Sequence, residues 1–148
     1  MSKSDSNSIR GMIWSATPTP FTASGELDDA GLERLCSQHQ RLGLSGLFLA
    51  GTCGEGPFMP NGQRAELVRK IRRLAGDAFH LAVQVSDTSA ARVRENIAQA
   101  VDAGADSVVI AAPWLARFVN REFARRYFFE SLDCDCPVPL GIYVLAQA

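Results

Sequence analysis

The sequence predicts an α/β chain built on a parallel sheet. Three observations carry that reading. Short, unbroken runs rich in Val, Ile and Leu recur along the chain, longer segments with helical apolar spacing separate them, and Gly, Asp and Asn punctuate the changeovers. Continuous apolar runs suit strands covered on both faces, as parallel strands are. Strand then helix, repeated four times and followed by a fifth strand, means βαβ units with right-handed crossovers.

Taken in order, residues 12–17 (MIWSAT) read as the first strand. A helix follows, with Leu32, Leu35, His39 and Leu42 on one face, Asp28 at its start and Gly43 at its end. Residues 46–50 (GLFLA) read as the second strand. The next helix aligns Leu67, Val68, Ile71, Leu74 and Ala75, with Arg69, Lys70, Arg72 and Arg73 read as its solvated side. The third strand is 79–85, and the helix after it carries Val93, Ile97, Ala100 and Val101 and closes at Gly104. Residues 107–112 form the fourth strand, 121–132 a helix aligning Phe123, Tyr127 and Leu132, and 138–145 the fifth strand.

Composition narrows the function classes. The chain has 148 residues, 47% of them hydrophobic and 21% charged, with a formal net charge of -1. No basic block offers a footprint for nucleic acid or an anionic membrane. No apolar stretch reaches the roughly 20 residues of a membrane helix. Residues 1–10 are polar, lack a secretory h-region and read as a disordered tail, leaving 11–148 as the folded part. Cys36, Cys53, Cys134 and Cys136 make no complete zinc set, because the Cys134/Cys136 pair lacks a second pair. They read as free thiols of a cytoplasmic protein, with no metal and no cofactor implied.

Periodicity leaves two architectures open. One is a small, complete, doubly wound sheet. The other is part of a (β/α)8 barrel, which needs roughly 250 residues when whole. In both, ligands bind at the carboxyl ends of the strands. The string Gly51-Thr52-Cys53-Gly54-Glu55 sits there, after the second strand. Its glycines allow close backbone approach or positive φ, and the amides of Thr52 and Cys53 between them suit an anion. A plain tight turn explains the string equally well on its own. A phosphate loop is disfavoured, with no Walker lysine and no G-x-G-x-x-G.

The neighbouring strings, taken together, shift the balance. ATPTPF at 16–21, SGELD at 24–28, GLSGLFLAGTCGE at 43–55, DAGADSVVIAAPWL at 102–115 and VPLGIY ending at Tyr143 occur in that order. This set resembles the dihydrodipicolinate synthase/N-acetylneuraminate lyase family over residues 11–143. The resemblance implies an incomplete (β/α)8 barrel covering about the first five strands and four helices. It implies a class I aldolase or dehydratase that acts on a 2-keto acid, pyruvate or a sugar acid, through a lysine Schiff base. It assigns Gly51, Thr52, Cys53 and Gly54 to binding the keto acid's carboxylate, and Tyr143 with Thr52 to a proton relay. The family usually has Thr-Thr or Ser-Thr where this chain has Thr52 and Cys53. Amides are indifferent to that change, and losing one hydroxyl removes at most one hydrogen bond, about 0.5–1.5 kcal/mol net. A homo-oligomer is implied for the full-length relative.

Three departures bear on activity. After Pro113 come Trp114 and Leu115, where synthases of the family place a relay tyrosine at the second position; leucine passes no proton, which favours another aldolase or dehydratase. The family's Tyr-Asn-x-Pro is here Tyr143-Val144-Leu145-Ala146. The Schiff-base lysine of the family ends the sixth strand, beyond Ala148, and neither Lys3 nor Lys70 matches it. The chain alone is therefore expected to be inactive. The alternatives are a non-catalytic barrel fragment with two unpaired sheet edges and a small anion-binding α/β domain. His39 reads as a packed residue, His80 as the start of a strand, Glu55 as a cap or anchor of its turn, and Asp87 as a residue on the ligand side without a role.

Overall fold

The computed structural model describes residues 12–113 and 120–144. Its elements run β1 (Trp14–Ala16), α1 (Asp29–Arg41), β2 (Gly46–Leu49), α2 (Asn61–Ala75), β3 (His80–Gln84), α3 (Ala90–Asp102), β4 (Ser107–Ala111), α4 (Arg121–Leu132) and β5 (Leu140–Tyr143), with a 3₁₀ turn at Gly56–Phe58 between β2 and α2. The expected ends of β1 and β5 draw in. Pro139 has no N–H for the ladder, so β5 begins at Leu140, although the Pro139 carbonyl still accepts the Val108 N–H at 3.0 Å.

The five strands form one parallel sheet in the order β1-β2-β3-β4-β5. A doubly wound sheet reverses its order at a switch point; this one never does, so that reading is set aside. The sheet also bends. Phe48 on β2 and Tyr143 on β5 bring their ring centroids to 6.1 Å, whereas three strand spacings on a flat sheet separate them by roughly 14 Å.

Side chains alternate along each strand. Leu47, Leu49, Leu81, Val83, Val108 and Ile110 point to the helix-covered face and are fully buried, each stabilising the fold by about 1.5–3 kcal/mol. Leu32, Leu67, Val68, Ile71, Val93 and Ile97 supply the helical half of that core. Registered on the other, concave face are Trp14, Phe48, Gln84 and Tyr143. That face is unevenly covered: Gln84 is buried, Trp14 and Phe48 are half-buried, and Tyr143 is exposed. Burial on both faces was expected. Among the described residues β2, β3 and β4 meet it on the convex face, whereas Ile142 of β5, registered with Ile110 on that face, is exposed, and the concave face is covered only in part.

Helix ends follow local chemistry. Ser89 Oγ accepts the Arg92 N–H and Asn120 Oδ1 accepts the Phe123 N–H at 2.8 Å, capping α3 and α4. Gly43 and Gly104 end α1 and α3 at φ +70° and +100°. Asp28 precedes α1 but makes no side-chain cap; its carboxylate pairs with Arg34 instead. Leu42, Leu74, Phe123 and Leu132, expected on buried faces, are exposed. For α4 the reason is that it packs on α3 through one flank, so only Tyr127 and Ser131 are buried.

The basic face of α2 is not simply solvated. Arg72 donates to the carbonyls of Gly104 (2.9 Å), Gly76 (3.0 Å) and Phe79 (3.1 Å) and pairs with Asp106, whose carboxylate also accepts the Leu81 N–H at 2.7 Å. Its side chain is 18% exposed. It ties α2 to the amino ends of β3 and β4, opposite the candidate site. Lys70, 16% exposed, pairs with Asp29 at 2.5 Å and Glu66 at 3.3 Å. Those bonds, Asp29 first, raise its pKa. Among the described residues no helix is long and apolar enough to cross a membrane.

Candidate functional site

The loop after β2 is held by its own backbone. The Gly51 carbonyl accepts the N–H groups of Gly54 (3.1 Å) and Gly56 (3.0 Å), and the Thr52 carbonyl accepts that of Glu55 (3.1 Å). Thr19, buried in the β1–α1 connection, donates its hydroxyl to the Gly54 carbonyl at 2.8 Å. With those bonds made, the amides of Thr52 and Cys53 have no acceptor among the described residues, and both residues are exposed. Two adjacent N–H groups without an acceptor among the described residues, on a loop held by its own bonds, are available to an anion.

The glycines serve this loop differently from the expectation. Positive φ falls not on Gly51 or Gly54 but on Ala50 (53°) and Glu55 (58°). Ala50 is buried and carries strain of about 1–2 kcal/mol for a residue with a Cβ. Gly51 and Gly54 are needed for space instead. A Cβ on Gly51 would stand 2.7 Å from the Phe48 ring, and one on Gly54 2.9 Å from the Thr17 carbonyl. The most restricted position is Gly56, which the sequence reading passed over: its Cβ would lie 1.7 Å from the Ala50 carbonyl oxygen. Glu55 makes no side-chain cap.

Gly51, Thr52, Cys53, Gly54 and Tyr143 all line one cavity of about 350 Å3 on the concave face. Ser15 and Ala16 line it too, and Trp14, Phe48 and Gln84 supply the larger side chains of its wall. Sequence reasoning missed these three. Their signal was position: each lies on the same side of its strand as Tyr143, a parity legible once the register is known. No charged residue is among the described lining residues, so the polar groups that a ligand's negative charge can meet there are amides, hydroxyls, the Trp14 indole, the Cys53 thiol and the Gln84 carboxamide.

Asp87 opens onto a different cavity of about 210 Å3, with Arg64, Arg92 and Asn61. Its carboxylate accepts the Thr88 N–H at 2.7 Å, pairs with Arg92 at 2.8 Å and takes Asn96 Nδ2 at 3.2 Å. Burial raises its pKa, but these three donors outweigh it and hold the carboxyl below its ordinary value. Its carbonyl accepts the buried Tyr127 hydroxyl at 2.8 Å. Asp87 thus joins β3, α3 and α4. Burial pulls the pKa of Arg64 down, with the Asp87 charge opposing.

His39 is half-buried and bonded to Ser15 and the Leu35 carbonyl; His80 bonds Ser107 and meets Trp14 edge-on. All four cysteines are free; Cys134 donates to the carbonyl of Ser131 in α4, and Cys136 to that of Val138. No three His, Cys, Asp or Glu side chains gather as a metal set among the described residues. Lys3, Trp114, Leu115, Leu145 and Ala146 lie outside the described residues.

Known proteins are similar to this chain in sequence and in fold. The sequence profile of the dihydrodipicolinate synthetase family matches residues 9–139. The chain is 35% identical over 143 residues to 4-hydroxy-tetrahydrodipicolinate synthase 1 of Streptomyces coelicolor, covering 97% of this chain and 46% of that protein. It is 32% identical over 130 residues to the 4-hydroxy-tetrahydrodipicolinate synthase of Bdellovibrio bacteriovorus, covering 88% of this chain and 43% of that one. Among solved structures, a prophage protein of the dihydrodipicolinic acid synthase family from E. coli K12, in complex with pyruvate, superposes with a TM-score of 0.82 at 26% identity, over 93% of this chain and 45% of that one. The chain spans about half the length of the curated relatives it matches. Its curved, unreversed sheet is the first part of a (β/α)8 barrel, and the chain belongs to the dihydrodipicolinate synthetase family.

Proposed function

We propose that this chain supplies the keto-acid half of a class I lyase site, in which a 2-keto acid such as pyruvate is held for attack by a lysine. One observation carries the reading: the two unengaged amides of Thr52 and Cys53 share an uncharged cavity with the Tyr143 hydroxyl. The amides receive the carboxylate, as in a preorganised oxyanion site. The keto carbon then lies inward, toward Tyr143. Lysine nitrogen attacks that carbon, the carbonyl oxygen leaves as water and an imine forms; Tyr143 and Thr52 carry the protons, since each hydroxyl both donates and accepts. A relative solved with pyruvate supports the substrate class.

No lysine is among the described residues that line the cavity. Lys70 lies on α2, ion-paired to Asp29 and Glu66, and the amine that reacts belongs to the length of the relatives that this chain does not span. Leu115 in place of a relay tyrosine favours an aldolase or dehydratase over the synthase reaction. The reading places the protein in the cytoplasm, which its free cysteines suit. It also makes the full-length protein a homo-oligomer. Incubating the full-length protein and this chain separately with pyruvate and borohydride, then weighing each, tests the proposal. One stoichiometric adduct on the full-length protein and none on this chain is the expected outcome; no adduct on the full-length protein would sink it.

A further inference from the structure

Gln84 is the carboxyl-terminal residue of β3 and faces the cavity of Thr52 and Tyr143. It is 4% exposed, and its carboxamide meets only one partner, Ser86 Oγ, at the long distance of 3.4 Å. A polar side chain this buried ordinarily has its hydrogen bonds made. Its other carboxamide end lies 3.5 Å from the place a Cβ on Gly51 would occupy, beside the loop whose amides are unengaged. That end has no protein partner among the described residues.

Ser86 decides which end faces the cavity. Its Oγ, 2% exposed, already accepts the Ala111 N–H at 2.7 Å, so its own proton needs an acceptor. The oxygen and nitrogen of a carboxamide are told apart by their partners. The structure sets Gln84 Nε2 at Ser86 Oγ and Oε1 toward the Gly51 loop. Exchanging the two ends lets Ser86 donate to Oε1, satisfies both side chains and turns the Gln84 NH2 toward the cavity. The opposite orientation leaves the Ser86 proton without an acceptor in a buried place, which is costly.

From this geometry we propose that Gln84 is a ligand-binding residue of the site, donating an N–H to an oxygen of the bound 2-keto acid next to the Thr52 and Cys53 amides. The inference rests on the function proposed above and deepens it. Glutamine here gives a neutral donor: it strengthens the hold on an anion without adding a counter-charge that would keep the nearby amine's positive charge away.

The test is a titration of the 15N-labelled 148-residue chain with pyruvate, followed by two-dimensional NMR. The backbone amides of Thr52 and Cys53 report the carboxylate site, and the side-chain NH2 of Gln84 reports the new contact. Both sets are expected to shift with one dissociation constant. Gln84→Met, similar in length but without donors, is expected to weaken binding about tenfold, the loss of one hydrogen bond to a charged group. Gln84→Glu, which sets a carboxylate beside the ligand's own, is expected to weaken it further, and Gln84→Asn to restore less than Gln. Spectral dispersion shows whether each variant is folded. Shifts at Thr52 and Cys53 with a silent Gln84 NH2 and unchanged affinity in Gln84→Met would overturn the role of Gln84 and leave the carboxylate site standing. Shifts at none of the three would overturn both.

Discussion

Phe48 and Tyr143 stand on strands that are not neighbours, yet their rings meet at 6.1 Å with a 34° tilt. The contact marks the bend of the sheet and sets one wall of the candidate site. Tyr143 is 47% exposed, so removing its hydroxyl takes nothing from the core. Tyr143→Phe in the full-length protein is expected to keep the fold and keto-acid affinity while turnover falls about 100-fold or more, the usual scale for a lost proton-transfer group. Steady-state kinetics beside a binding titration separates the two effects.

The loop glycines make a graded prediction. Gly56→Ala drives a methyl into the Ala50 carbonyl, where backbone has no room to yield, and is expected to cost about 3 kcal/mol or more, in the range of severe steric substitutions. Gly51→Ala meets the Phe48 ring, which turns aside more easily, so it is expected to lower keto-acid binding with a smaller stability loss. Gly62→Ala, in α2 with open space around it, is expected to stabilise by about 0.5–1 kcal/mol. Urea unfolding of the three variants ranks them.

Arg72 makes its prediction at the opposite end of the sheet. Arg72→Ala removes donors to three carbonyls and to Asp106. A loss of about 2–3 kcal/mol is expected, the scale for bonds to a charged donor. Keto-acid affinity should be unchanged in variant that remains folded, because no part of Arg72 reaches the cavity. Equal unfolding midpoints for the two proteins would contradict the clamp.

Asp87 supplies the pH prediction. Its folded pKa is depressed below the ordinary 3.8, so the unfolded state binds the proton more readily. The stabilisation is present in full above about pH 4 and lost as pH falls through the folded value. Asp87→Asn is therefore expected to be less stable than the parent at pH 7, by about 2 kcal/mol for bonds to a charged group. The gap between them should close as the acid is approached. Thermal melts of both proteins from pH 7 to pH 3 measure it.

Lys70 bears on the imine. Its pairs with Asp29 and Glu66 raise its pKa and keep it protonated at neutral pH, whereas an imine needs a free amine. Pyruvate and borohydride are expected to leave this lysine unmodified. A stoichiometric adduct on Lys70 would contradict both its protonation and its distance from the cavity.

The parallel α/β character and the order of strands and helices were legible in the sequence, because each rests on local chemistry; the Gly51–Gly54 loop and Tyr143 were singled out by the family resemblance. Apolar runs set strands, caps and glycines set helix ends, and motif spacing survives without a partner in space. Only the tertiary structure decided the rest, for reasons of distance in sequence. That Gly56 rather than Gly54 is the least replaceable glycine depends on where the Ala50 carbonyl turns. That Arg72 is a clamp and not a solvated cation depends on a carbonyl 32 residues away and a carboxylate 34 residues away. Gln84 reads in the sequence as one polar residue within an apolar strand. Registry with its neighbours puts it on the concave face, and the Gly51 loop and Ser86, set beside it by the fold, leave it with a hydrogen bond to give.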